Sequence, residues 1–275
     1  MEIRTVWGVY FSATGTTEKI VTCIAKTAAE LMDAEYKTFS FSLPEARKHL
    51  LSFSGNDLVI FGIPVYAGRI PNLLLPYIKE NVTGNGAAAV PVVLFGNRNY
   101  DDALIELRNI MQENGFHNVA AGAFVGEHSF SVTLGVGRPD EDDMALAVSL
   151  AEKTAAKIRG MKWPPAEAVA VRGNDPLRPY YTPRDRHGNP INILKVKPKT
   201  DLSKCIKCGL CAAICTMGAI DTDDLSAVPG VCTKCCACVK RCPVQAKYYD
   251  DEGYLYHQRE LEDVYTHRAS VDLFF

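Results

Sequence analysis

Two stretches toward the C-terminal end carry the densest chemistry in the chain. CIKCGLCAAIC starts at Cys205, CTKCCACVKRC starts at Cys232, and both spell CxxCxxCxxxC. Cys205, Cys208, Cys211 and Cys215 therefore map onto Cys232, Cys235, Cys238 and Cys242 at a constant offset of 27 residues. Four matches in one register mark an internal repeat. Thiolates at this spacing suit a four-iron cube: three fold around one face, the fourth points away, and in paired motifs that last cysteine ligates the other cluster. The spacing predicts two interlocked sets. Cys205, Cys208, Cys211 and Cys242 hold one 4Fe-4S cluster, and Cys232, Cys235, Cys238 and Cys215 hold the other. Structural zinc on CxxC pairs and disulfides are the alternatives, and both leave the double register unexplained.

Of ten cysteines only Cys23 lies outside this region, in an apolar helical face where it reads as a small buried hydrophobe. Ile206, Ile214, Ile220, Val231 and Val239 are expected to shield the clusters from water. Two departures stand out. Thr216 follows Cys215 where the pattern has proline, and Cys236 adds a thiol outside the pattern, read as a spare. Residues 201–250 resemble the bacterial two-cluster ferredoxins, and the resemblance implies one-electron transfer.

A second candidate site is SATGTT. Ser12, Thr14, Gly15, Thr16 and Thr17 bring hydroxyls and free backbone amides to the start of a helix, where a dianionic phosphate is favourably placed. Plain helix capping uses the same residue types, so this stretch alone leaves both readings open. The Walker pattern is absent, and GNGAAA at Gly84 precedes a strand and reads as a turn. Two further loops, GIPVYAGRIPN and GNRNYDD, follow strand-like runs.

The elements that must position these loops are legible as alternating apolar runs and helical stretches, the rhythm of a parallel sheet. Strands are predicted at IRTVWGVY, EYKTFSF, DLVIFGI, AAAVPVVLF and NVAAGAFV, and helices at 16–32, 73–81, 101–114 and 141–159. For strand order 2-1-3-4-5 ligands sit outside the carboxyl ends of the strands, between the first and third, so all three loops converge on one edge. Residues 1–160 resemble flavodoxin-like domains, whose phosphate loop [ST]xTGxT is matched by Ser12, Ala13, Thr14, Gly15, Thr16 and Thr17. That resemblance implies an α/β doubly wound, five-stranded parallel sheet binding FMN. It also implies isoalloxazine contacts from Pro64, Val65, Tyr66, Ala67 and Gly68, and from Asn97, Arg98, Asn99, Tyr100, Asp101 and Asp102, with Tyr66 or Tyr100 stacking on the ring. GEHSFS ends the fifth strand on the same edge, which makes His128 a candidate proton donor, with Tyr100 as the other.

Composition shifts between these modules. Residues 161–200 hold seven of the chain's 15 prolines, with eight Lys and Arg against three acids, and read as a basic linker or strap. Residues 201–250 form a smaller ferredoxin-like α+β domain, and 251–275 an acidic and aromatic tail. A net charge of -2 gives no pull toward nucleic acid. No segment approaches the roughly 18 apolar residues of a membrane helix. The expectation is a cytoplasmic protein without membrane or nucleic-acid partners, whose oligomeric state the sequence leaves open. The order of the two domains resembles fused flavodoxin-ferredoxin proteins of anaerobic microbes. That resemblance implies electrons passing singly between two 4Fe-4S clusters and FMN, to or from a redox partner protein or a small-molecule acceptor. An FMN-dependent reductase fed by the clusters is the alternative.

Overall fold

A computed structural model describes residues 2–275. The first 160 residues build β1 (Thr5–Tyr10), α1 (Thr16–Met32), β2 (Glu35–Ser40), β3 (Asp57–Pro64), α2 (Leu75–Asn81), β4 (Ala88–Phe95), α3 (Ala103–Glu113), β5 (Ala121–Val125) and α4 (Glu141–Gly160). Apart from Asp57 at the start of β3, strands β3, β4 and β5 are apolar and almost wholly buried, as strands covered on both faces must be. Edge strand β2 alternates instead, with Tyr36 among its exposed residues.

The five strands pair in parallel in the order β2-β1-β3-β4-β5, the flavodoxin-type 2-1-3-4-5. The short strand His117–Asn118 pairs beside the start of β4. Two apolar layers flank the sheet. One holds Phe41, Phe61, Tyr100 and Leu107 under α3, and the other holds Ile20, Ile24, Leu150 and Ile158 under α1 and α4. Helix α1 packs tightly on the sheet because Gly62 has no side chain: a Cβ there would lie 2.1 Å from Val21 Cγ2.

The chain departs from the expected five strands at its far end. The tail forms a helix, α7 (Glu252–Val264), and then a sixth strand, β6 (Asp272–Phe274), which pairs antiparallel with β5. Arg138 anchors the return, donating to the Ala269 carbonyl at 2.8 Å while ion-paired with buried Asp143. The tail therefore covers the edge of the sheet that β5 would leave unpaired.

Between the two ends, the linker contains no helix among the described residues and is fastened by side chains. The cysteine domain is small: α5 (Leu210–Ala213), α6 (Ala237–Lys240) and an antiparallel pair, Lys199–Thr200 with Lys247–Tyr248. Its repeat is visible in the backbone. Lys207 and Lys234 have φ near +55°, Gly218 and Gln245 are also left-handed, and Gly209 before α5 corresponds to Cys236 before α6, at φ +57°. Cys236 thus holds a left-handed position that its repeat partner fills with glycine.

Replacing Gly62 with alanine is expected to cost about 1–3 kcal/mol through overpacking. In denaturant titrations the double variant Gly62→Ala with Val21→Ala should lose less than the sum of the two single losses. Strict additivity would show that the close approach of α1 to β3 does not matter.

Candidate redox centres and the cavity between them

The cysteines gather as two sets. Cys205, Cys208, Cys211 and Cys242 line one apolar cavity, with Leu210, Leu225 and Pro243. Cys215, Cys232, Cys235 and Cys238 line another, with Ile220, Val228 and Tyr249. Each cavity thus includes three cysteines of one motif and the last cysteine of the other, and the second is lined by the off-pattern Cys236 as well. Four thiols around an apolar hollow are a donor set suited to an iron-sulfur cube. The repeat also recurs in hydrogen bonds, because the Ala219 N–H donates to Cys215 Sγ and the Ala246 N–H to Cys242 Sγ, both at 3.2 Å. The expected apolar shell is only partly formed: Ile220 is buried, whereas Ile206 and Val231 are exposed. Cys236 is buried outside both sets' ligand pattern, its Sγ 3.4 Å from the Tyr254 hydroxyl and 3.3 Å from the Lys234 carbonyl.

The larger cavity opens at the carboxyl ends of the parallel strands. Thr14 lines it from the loop before α1, Thr16 and Thr17 from the first turn of α1, Pro64, Val65 and Tyr66 from the end of β3, Gly96 from the end of β4, and Gly126 to Ser129 from the end of β5. Cys235 closes it from the other domain. Gly15 caps α1 at φ +99°. The first-turn amides of a helix lack helical partners. Here Ser12 Oγ takes the Gly15 and Glu18 N–H groups, and the Gly15 carbonyl takes that of Lys19. The amides of Thr16 and Thr17 face no such helical acceptor, so two backbone donors remain at the helix start beside the cavity, the arrangement that suits an anion. Space there depends on glycine, since a Cβ at Gly126 would lie 3.2 Å from Thr16 and one at Gly96 would lie 2.5 Å from the His128 ring.

Tyr66 lies where the two domains meet. Burial, then the sulfurs of Cys235, Cys236 and Cys232, raises its phenol well above the ordinary value and keeps it protonated. His128 also lines the cavity, but its Nδ1 accepts the Phe130 N–H at 3.1 Å. Burial, reinforced by His257, Lys240 and Arg98, pushes the imidazole down to about 3. A neutral ring with Nδ1 already occupied is not the general acid expected of it.

The loop after β4 departs furthest from expectation. Tyr100 is buried in the core against Phe95, its hydroxyl donating to Asp272 Oδ2 at 2.7 Å, so it neither lines the cavity nor reaches a reacting group. Asn97 grips the tail, donating to the Tyr265 and His267 carbonyls and accepting from the Ala269 N–H. Arg98 is paired with Asp101 and lies over the Tyr181 ring of the linker, and Asn99 Oδ1 accepts the Asp101 N–H. Asp102 is fully buried and accepts five hydrogen bonds from Asn174 and Arg178. Ala67 and Gly68 also turn their carbonyls to other segments, taking the Tyr181 and Asp102 N–H groups. Linker and tail take up the polar groups of the loop that was expected to meet a ring.

What fixes the cysteine domain over the cavity is a set of contacts that sequence reading missed. Lys240 donates to the His128 carbonyl at 2.8 Å and pairs with Glu127. Arg47, half-buried, donates to the carbonyls of Phe41, Ser42 and Thr216 at 2.8, 2.8 and 2.6 Å. Phe130 packs between the two halves, 4.6 Å from the Tyr254 ring of α7.

Strand order, cavity and thiol sets define a flavodoxin-like α/β domain joined to a ferredoxin-type domain. Residues 198–221 match the family described as 4Fe-4S binding domain. Among solved structures the chain is similar to a flavodoxin from the domain Archaea, at 14% identity and a TM-score of 0.40, over 57% of this chain and 99% of that one. It is similar to oxidised flavodoxin 2 from Bacillus cereus, at 18% identity and a TM-score of 0.41, over 56% and 99% of the two chains. It is similar too to rubredoxin oxygen:oxidoreductase from Desulfovibrio gigas, at 16% identity and a TM-score of 0.41, over 57% of this chain and 37% of that one. No curated protein matches the chain. No helix among the described residues is long and apolar enough to cross a membrane.

Hydrogen bonds from Arg178 and Asn174 hold the Asp102 carboxyl well below the usual carboxylate range. A depressed folded value stabilises the chain above the free pKa of about 3.9, and that stabilisation is lost as acid titrates the folded group. Asp102→Asn should cost about 1.5–3 kcal/mol at pH 7 by weakening the hydrogen bonds that the buried carboxylate accepts from Asn174 and the half-exposed Arg178. The gap in urea stability between wild type and variant should narrow below about pH 4. A gap independent of pH would contradict the role given to the charge.

Proposed function

We propose that the chain is an electron-transfer protein carrying FMN in the larger cavity and a 4Fe-4S cluster in each thiol set. The observation that carries this reading is Cys235, which lines both the cavity at the sheet edge and one of the thiol-lined cavities. FMN when bound exchanges one or two electrons, and the clusters exchange one each. The chain's own residues bind and position. Thr16 and Thr17 offer amides at the start of α1 to a phosphate, while Pro64, Val65 and Tyr66 supply an apolar and aromatic wall suited to a flat ring. Arg47 and Lys240 hold the cysteine domain against that wall.

The other end of the route lies at the first thiol set. Cys208 is exposed, and so are Leu202 and Ile206 near it in the chain. A redox partner protein or small acceptor would exchange electrons there. The reductase alternative loses both of its proton donors, since Tyr100 is sealed in the core and His128 is neutral.

Anaerobically purified protein should contain about eight irons, about eight labile sulfides and about one FMN per chain. Cys215→Ala and Cys242→Ala should each lower the iron content by about half, while Cys236→Ala leaves it unchanged. Stoichiometric zinc without labile sulfide would refute the cluster assignment, and full clusters without flavin would refute the assignment of the cavity.

A further inference from the structure

The repeat supplies an internal reference for its own departure from pattern. Pro243 follows Cys242 and lines the first thiol-lined cavity, while its equivalent 27 positions earlier, Thr216, follows Cys215 and lines the second. Thr216 is 2% exposed, and its Oγ1 lies 3.5 Å from Cys235 Sγ. A proline at that position has no hydroxyl to offer.

Resting on the function proposed above, we infer that Thr216 is a positioning and tuning residue: its hydroxyl donates a hydrogen bond to the Cys235 sulfur and raises the reduction potential of the cluster beside the flavin cavity. An iron-bound cysteine sulfur carries no proton, so the hydroxyl must be the donor. Hydrogen bonds to cluster sulfurs stabilise the more negative, reduced state and are among the factors that set the potential.

The backbone that carries the hydroxyl is held from outside its own domain. Arg47 binds the Thr216 carbonyl at 2.6 Å, and the same guanidinium binds the Ser42 carbonyl. Ser42 Oγ in turn accepts the N–H of Ser12, the first residue of the loop before α1. One run of hydrogen bonds therefore joins the Cys235 sulfur to the anion-binding loop. The second set also receives the Lys234 N–H at 3.4 Å and has the Tyr249 hydroxyl 3.7 Å away, both at Cys232 Sγ. Thr216 is the contact that the first set replaces with proline.

The test is a spectroscopic redox titration of the full-length holoprotein, following both clusters by electron paramagnetic resonance, in wild type, Thr216→Val and Thr216→Ser. Iron and sulfide content are measured on the same samples. Thr216→Val should keep its iron, lower the potential of one cluster and leave the other unchanged, while Thr216→Ser should restore the wild-type value. Unaltered potentials in an iron-replete Thr216→Val protein, or equal shifts of both clusters, would overturn the inference and leave the proposed function standing. Wild-type protein without two clusters would remove both together.

Discussion

The arrangement depends on one half-buried charge that belongs to neither redox centre. Arg47 donates to carbonyls on both sides of the domain boundary, and its guanidinium keeps its charge at any working pH, so the link does not titrate away. Burial lowers its pKa only from an already very high value. Charge-assisted hydrogen bonds of this kind are stronger than neutral ones and fix direction as well as distance. With Lys240 as a second contact, the cysteine domain is held at two points, and Cys235 comes to rest in the wall of the cavity at the sheet edge. A freely tethered domain would sample many orientations, of which few would bring a cluster to that wall.

Linker and tail explain why docking can be fixed. Proline-rich residues 161–200 are fastened by Asp102, Arg69 and Tyr180 instead of by regular structure. Tail residues return across the same surface, where Asn97 and Arg138 hold their carbonyls, and end as an added edge strand. Loops that could have formed an open pocket are therefore committed to holding the chain together. The polar groups of Asn97, Tyr100 and Asp102 are thereby taken up within the fold instead of being left free for a bound substrate.

Much of the design was legible in the sequence because its determinants are local. Cysteine spacing fixes which thiols can meet, the repeat shows up as a constant offset, and buried parallel strands read as apolar runs. What escaped notice depends on residues far apart. Nothing near Asn97 or Tyr100 reveals that residues 265–272 will occupy their polar groups, and a loop of the same composition elsewhere would be free to bind a ligand. Similarly Thr216 was visible as a departure, while its meaning required Arg47, 169 positions away in the chain. The three strand residues of β6 carry no signal of their own, since pairing with β5 is decided by an open sheet edge and the anchor at Arg138.

If the two domains are held as one unit, electrons given to the clusters must reach the flavin within the same molecule. A brief reducing pulse under anaerobic conditions, followed by flavin absorbance at several protein concentrations, tests this most directly. The account predicts a first-order change whose rate does not vary with protein concentration. A rate that rises in proportion to concentration would mean that electrons cross between molecules, and would contradict the docking of Cys235 against the cavity.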